Sequence, residues 1–121
     1  MPDPVTLEAF IAMVESGEHV KAIEQFYAED ATMQENHRAP RVGRNTLMAN
    51  ESKALSRIRS VDSQCIRPVF VNGENVVIRW VFVFTGKDGK QSRMEELACQ
   101  RWAGGRIREE KFFYDPAQMQ A

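Results

Sequence analysis

Three glycine-bearing separators, Asn72-Gly73, Lys87-Asp88-Gly89-Lys90 and Ala103-Gly104-Gly105, divide the second half of this chain into four segments of strand length. The segments read "SVDSQCIRPVFV", "NVVIRWVFVFTG", "QSRMEELACQRW" and "RIREEKFFYD". They are rich in β-branched and aromatic residues, which suit a pleated surface, and glycine turns of this kind join antiparallel neighbours. The pattern predicts a four-stranded antiparallel meander. A meander has two faces, and what covers each of them then decides the fold.

The first half has a helical period. Asp3-Pro4 reads as a cap followed by a first-turn proline, and Leu7, Phe10, Ile11 and Val14 recur at i, i+3, i+4 and i+7. Gly17 ends that helix. A second begins near Glu18, with Val20, Ile23, Phe26 and Tyr27 as its apolar stripe and His19 as a surface or cap residue. "ATMQEN" follows as a short strand, Gly43 breaks the chain, and "NTLMANESKALSRI" carries a third helix with Leu47, Met48, Leu55 and Ile58 inward. Three helices, one short strand and a meander make an α+β domain. No repeat or linker interrupts residues 1–121, which are expected to form one domain.

Apolar residues at 43% and charged residues at 27% exclude a disordered chain. A net charge of −1 without a basic block gives no surface for nucleic acid or an anionic membrane. No apolar run approaches the ~20 residues of a membrane span. The N-terminus lacks the basic and apolar regions of a secretory signal. Cys65 and Cys99 lie in strand-like contexts without metal-ligand spacing, so both are expected to be reduced core residues of a cytoplasmic protein. Glu35-x-His37 with distant carboxylates is not a metal set, and no glycine-rich phosphate loop is present; neither a metal nor a cofactor is expected.

Turn lengths set the register and hence the faces. A two-residue turn at Asp88-Gly89 would pair Met94 with Val83, Glu96 with Val81 and Ala98 with Arg79. A three-residue turn at Ala103-Gly104-Gly105 would pair Ala98 with Glu110 and Glu96 with Phe112. A two-residue turn at Gly104-Gly105 would instead swap the faces of the last strand. In the first arrangement Arg79, Glu96, Ala98, Gln100, Glu110, Phe112 and Tyr114 share one face, where Arg79 could bridge Glu96 or Glu110. The opposite face holds Trp80, Phe82 and Phe84. The helices can cover one face only, so the aromatic one is expected to seat a second copy in a homodimer.

"FYAEDATMQEN", "RVGRNTLM" and "RWAGGRIREEKFFYDP", with the order of elements, resemble the SnoaL-like and ketosteroid-isomerase-like branch of the NTF2-like superfamily over nearly the whole chain. The resemblance implies a cone: three N-terminal helices packed on the concave face of a curved, mostly antiparallel sheet, around a pocket for a small organic molecule. It places Glu35 at the isomerases' general-base position, with His37 two residues on as a possible partner. The isomerases' oxyanion donors, a helix tyrosine and a protonated strand aspartate, fall on Phe10 and Ala98, which donate no hydrogen bond. Losing one such donor typically costs roughly two to three orders of magnitude in rate, so classical steroid isomerisation is not expected. The resemblance implies cofactor-independent acid/base chemistry of isomerase, cyclase, hydrolase or dehydratase type. The alternative is a non-catalytic ligand-binding or dimeric accessory module. The expected pocket comprises Phe10, Arg79, Glu96, Ala98, Gln100, Glu110, Phe112 and Tyr114.

Overall fold

A computed structural model describes residues 2–119. Helix α1 spans Pro4–Glu15 and opens as expected: the Asp3 carboxylate accepts from the Val5 amide at 3.1 Å, and Pro4 takes the first turn. Leu7, Phe10, Ile11 and Val14 are its buried face. Helix α2, His19–Phe26, runs directly into strand β1, Tyr27–Glu35. Tyr27 therefore opens a strand rather than closing a helix stripe. A two-residue strand β2, Arg41–Val42, precedes helix α3, Arg44–Leu55. Ile58, expected on that helix, instead begins β3, Ile58–Asn72. β4 (Asn75–Gly86), β5 (Gln91–Ala103) and β6 (Arg106–Phe113) follow, then a 3-10 turn at Pro116–Met119.

The six strands form one curved, open, mixed sheet in the order β2-β1-β6-β5-β4-β3. The meander is antiparallel throughout, and β1 joins it in parallel beside β6, with Glu35 opposite Phe112. Asn36 ends β1 at φ 50°, a left-handed conformation that asparagine tolerates. Its amide donates to the Phe112 carbonyl at 2.8 Å, and its side-chain oxygen accepts from the Tyr114 amide at 3.1 Å. These bonds fasten the end of β1 to the end of β6. The three helices pack on the concave face over a core that includes Ile11, Leu47, Ile78, Trp102 and Ile107.

The β4–β5 register corrects the expected one. Lys87-Asp88-Gly89 is a three-residue loop: the Gly86 amide donates to the Lys90 carbonyl at 2.8 Å, and Gly89 takes φ 85°. One extra turn residue shifts the pairing by one, so Trp80 lies opposite Glu96, Phe82 opposite Met94 and Ile78 opposite Ala98. Arg79 consequently leaves the concave face and bonds Glu95 at 2.7 Å on the outer one, bridging neither Glu96 nor Glu110. Trp80 and Phe82 turn inward and are buried within the single chain, and Phe84 packs beside them against the core. At the last hairpin, Gly104-Gly105 is a two-residue turn with both glycines at positive φ. It would have reversed the faces of β6, but a bulge between Arg101 and Trp102 restores the parity. Gln100 thus pairs with Glu110 and Ala98 with Phe112. Cys65 is buried, Cys99 is half-buried, and both are free thiols.

The register gives a stability contrast. Arg79→Ala removes an exposed ion pair and should change unfolding free energy by no more than about 1 kcal/mol. Trp80→Ala empties a core position and should cost about 3–5 kcal/mol. Urea titration followed by circular dichroism measures both, and the reverse ranking would indicate the alternative register.

Candidate functional site

A cavity of about 630 Å³ opens between the concave face and the helices. Its walls are mainly apolar: Phe10 and Ile23 from the helices, Met33 from β1, and Trp80, Phe82 and Phe84 from β4. The last three form a row, Trp80 stacked on Phe82 at 5.7 Å and Phe84 tilted at 6.0 Å, because alternate residues of one strand share a face. Five carboxyl groups also reach the lining: Glu35, Glu51, Glu96 and Glu110, and Asp88 of the β4–β5 turn.

Glu35 stands at the last position of β1, half-buried. Arg41 Nη1 donates to one carboxylate oxygen at 2.8 Å and the Tyr114 hydroxyl donates to the other at 2.7 Å. Burial alone would raise its pKa, but these two bonds and the Arg41 charge outweigh that and hold it below the ordinary carboxylate range. Burial and the neighbouring Glu35 carboxylate push the Tyr114 phenol up to about 12. Glu35 is therefore an ionised, fixed acceptor.

Glu110 lies on the cavity floor within a hydrogen-bonded chain. The Tyr27 hydroxyl donates to one oxygen, Gln100 Nε2 donates to the other at 2.6 Å, and Trp102 Nε1 donates to the Gln100 oxygen at 2.9 Å. Complete burial raises Glu110 to about 7 despite these donors, and the same burial, with the carboxylate beside it, pushes Tyr27 well above its usual value.

Glu96 is different. It is 6% exposed, and among the described residues its carboxyl has no hydrogen-bond partner. Burial raises it to about 8, with Glu110, Glu35 and Glu51 adding repulsion. The neutral form is thereby favoured over the carboxylate, and the group faces the cavity. On the helix side, His19 Nε2 lies 2.8 Å from Ser63 Oγ and its Nδ1 lies 3.6 Å from Glu51, while the ring meets the edge of Phe82.

Glu35, Glu96, Glu110, Phe10, Phe112 and Tyr114 all reach the lining. Ala98 and Gln100 are buried on the same face but lie behind it. His37 is exposed on the turn after β1, outside the lining, and Arg79 is on the outer face, also outside it. Sequence reading missed Tyr27, His19 and Glu51. Tyr27 fitted a helical stripe, and nothing in the sequence of α3 marks Glu51 as inward. Among the described residues, no three His, Cys, Asp or Glu side chains converge as a metal site, and no helix is long and apolar enough to cross a membrane.

The SnoaL-like domain model matches residues 7–110. A SnoaL-like polyketide cyclase candidate from Mesorhizobium loti is 22% identical, with 94% of this chain and 100% of that one covered at a TM-score of 0.77. An NTF2-like protein of unknown function from Burkholderia pseudomallei is 14% identical over 94% and 91% of the two chains, with a TM-score of 0.81. An LEH-like epoxide hydrolase from M. tuberculosis is 12% identical over 94% and 83%, with a TM-score of 0.77. No curated protein matches at the sequence level. These structures share the fold.

The raised acids make stability depend on pH. Glu96 and Glu110 bind protons more tightly folded than unfolded, so above the unfolded carboxyl value of 4.5 the unfolded chain ionises first and stability falls. The decline should run from about pH 5 to about pH 8 and then level off. Urea midpoints across that range measure it; Glu96→Gln and Glu110→Gln should each flatten the slope.

Proposed function

The chain belongs to the SnoaL-like domain family, and from that premise we propose that its cavity binds a small, largely apolar organic molecule and performs cofactor-independent acid/base chemistry on it. One observation carries this reading: two carboxyl groups face the same cavity, Glu35 held by Arg41 and Tyr114 and Glu96 buried without a donor, which shifts their proton affinities in opposite directions. Two like groups pushed to opposite protonation states are the pattern of an acid/base pair. Tyr114 joins them in space, since its hydroxyl holds Glu35 and its carboxylate-raised phenol also senses Glu96.

In this mechanism Glu96 donates its proton to the oxygen of a carbonyl or epoxide as negative charge develops there. It takes the part that Phe10 and Ala98 cannot play, and it sits two residues before Ala98 on the same face of β5. Glu35 accepts a proton from an acidified carbon, or orients a water against an epoxide carbon. Its bonds to Arg41 and Tyr114 make it a weak base in a fixed position, which suits a substrate already activated by Glu96. The apolar wall of Phe82, Phe84 and Met33 holds the substrate body. The alternative, binding without turnover, draws on the same bonds: in it Glu35 remains a structural partner of Arg41.

Two probes match this chemistry: styrene oxide for ring opening, and 2-tetralone for exchange of its α-protons in deuterated water. The wild-type protein should accelerate one of them, and Glu35→Gln or Glu96→Gln should each lower kcat by about two to three orders of magnitude. The rate should also decline above about pH 8 as Glu96 loses its proton. If the wild type and both variants match buffer alone, the chemistry is refuted and the binding-only reading stands.

A further inference from the structure

We infer that the ligand of this cavity carries a basic nitrogen, which sits against the Glu96 carboxyl as an ammonium ion. This rests on the reading of the cavity as a ligand site that Glu96 faces, and it adds the chemical class of the ligand.

Four of the five carboxyl groups on the lining have partners: Arg41 and Tyr114 hold Glu35, His19 faces Glu51, Tyr27 and Gln100 hold Glu110, and the Lys90 amide donates to the exposed Asp88. Glu96, more than nine-tenths buried and aimed into the space, has none among the described residues. Its oxygens are not sealed off, since among the described residues no fully enclosed side-chain oxygen or nitrogen lacks a partner; they face the cavity space, where a donor on a ligand can meet them. Among the described residues no Lys, Arg or His of the lining bonds to Glu96. Arg41 is committed to Glu35, while Arg57 and Lys90 are exposed at the outer end of the lining.

The charges that act on Glu96 come from three different elements and are all carboxylates, while Arg41 and His19, also on the lining, face Glu35 and Glu51. Glu110 on β6, Glu35 on β1 and Glu51 on α3 all disfavour a second negative charge there, and Tyr27 and Tyr114 stay neutral through the physiological range. An anionic ligand would add to that repulsion. A neutral hydroxyl could bond to Glu96 but would leave the field unchanged. An ammonium group offers both a donor and the missing positive charge, and charge-assisted bonds are the stronger kind.

The proton balance is closed. An alkylamine has an ordinary pKa near ~10.4, above that of Glu96, so the nitrogen keeps or takes the proton and Glu96 becomes a carboxylate. A carbonyl or epoxide oxygen, by contrast, receives that proton only as its bonds change. An amine that is already protonated in solution therefore expels one proton when it binds.

The test uses three probes with one aromatic body: naphthalen-1-ylmethylamine, naphthalen-1-ylmethanol and 1-naphthoate. Isothermal titration at about pH 8 should rank amine, alcohol and naphthoate in falling affinity, with at least about tenfold between the first two. Affinity for the amine should rise about tenfold per pH unit from about pH 6 to about pH 8, while that for the alcohol stays level. Titration near pH 6 in buffers of different ionisation enthalpy should report release of nearly one proton, falling to about half a proton near pH 8. Glu96→Gln should erase the amine's advantage and its pH slope and keep the alcohol; Glu110→Gln should retain both. If Glu96→Gln does not fold, the proton count in the wild type decides alone. Equal binding of amine and alcohol, or no proton release, overturns this inference and leaves the ligand cavity intact. Failure of all three probes to bind overturns both.

Discussion

The three-residue turn at Lys87-Asp88-Gly89 is the constraint on which the site depends. Side chains alternate along a strand, so one residue in a turn decides which half of β4 meets the helices. With Gly89 at φ 85° the loop closes on the Gly86–Lys90 pair, and the row Trp80, Phe82 and Phe84 falls on the same face as Glu96. Shortening that turn by one residue would carry the aromatic wall outside and put Arg79 beside the carboxyl groups. The cavity would then be a buried ion-pair cluster instead of an apolar space with an acid in it.

A second device keeps the last strand in step. Gly104-Gly105 closes a two-residue turn, which alone would point Glu110 outward, and the bulge at Arg101/Trp102 turns it back. The consequence is chemical. Glu110 can reach Tyr27 and Gln100, and Gln100 can accept from Trp102, so the floor of the cavity is a satisfied polar chain set in an apolar core. Such a network is rigid because every member has its partner. Glu96, two same-face positions along β5 from Gln100, has none among the described residues, and that contrast separates a satisfied floor from an open wall.

Much of the architecture was legible in the chain. The glycine separators marked the hairpins, Asp3-Pro4 and the Leu7, Phe10, Ile11, Val14 spacing marked α1, and the order of elements pointed to the α+β, NTF2-like arrangement. The gathering of Glu35, Glu96, Glu110, Phe112 and Tyr114 could also be read. Arg79 and the aromatic row were read onto the wrong faces, because an Asp-Gly pair does not say how many residues its turn contains. Tyr27 was hidden by a helix that becomes a strand without a break, and His19 and Glu51 by their placement on helices whose inward side is fixed by packing against a sheet far along the chain.

By itself the sequence determined the local choices: where helices start, where strands reverse, and which residues are too apolar for water. Those follow from backbone sterics and periodicity, which act over a few residues. The tertiary structure alone decided the protonation of the carboxyl groups. Glu35 and Glu96 are the same residue type, and what separates them is that Arg41 and Tyr114 arrive at one while burial, without a donor, surrounds the other. Desolvation and charge act through space, and the fold sets those distances.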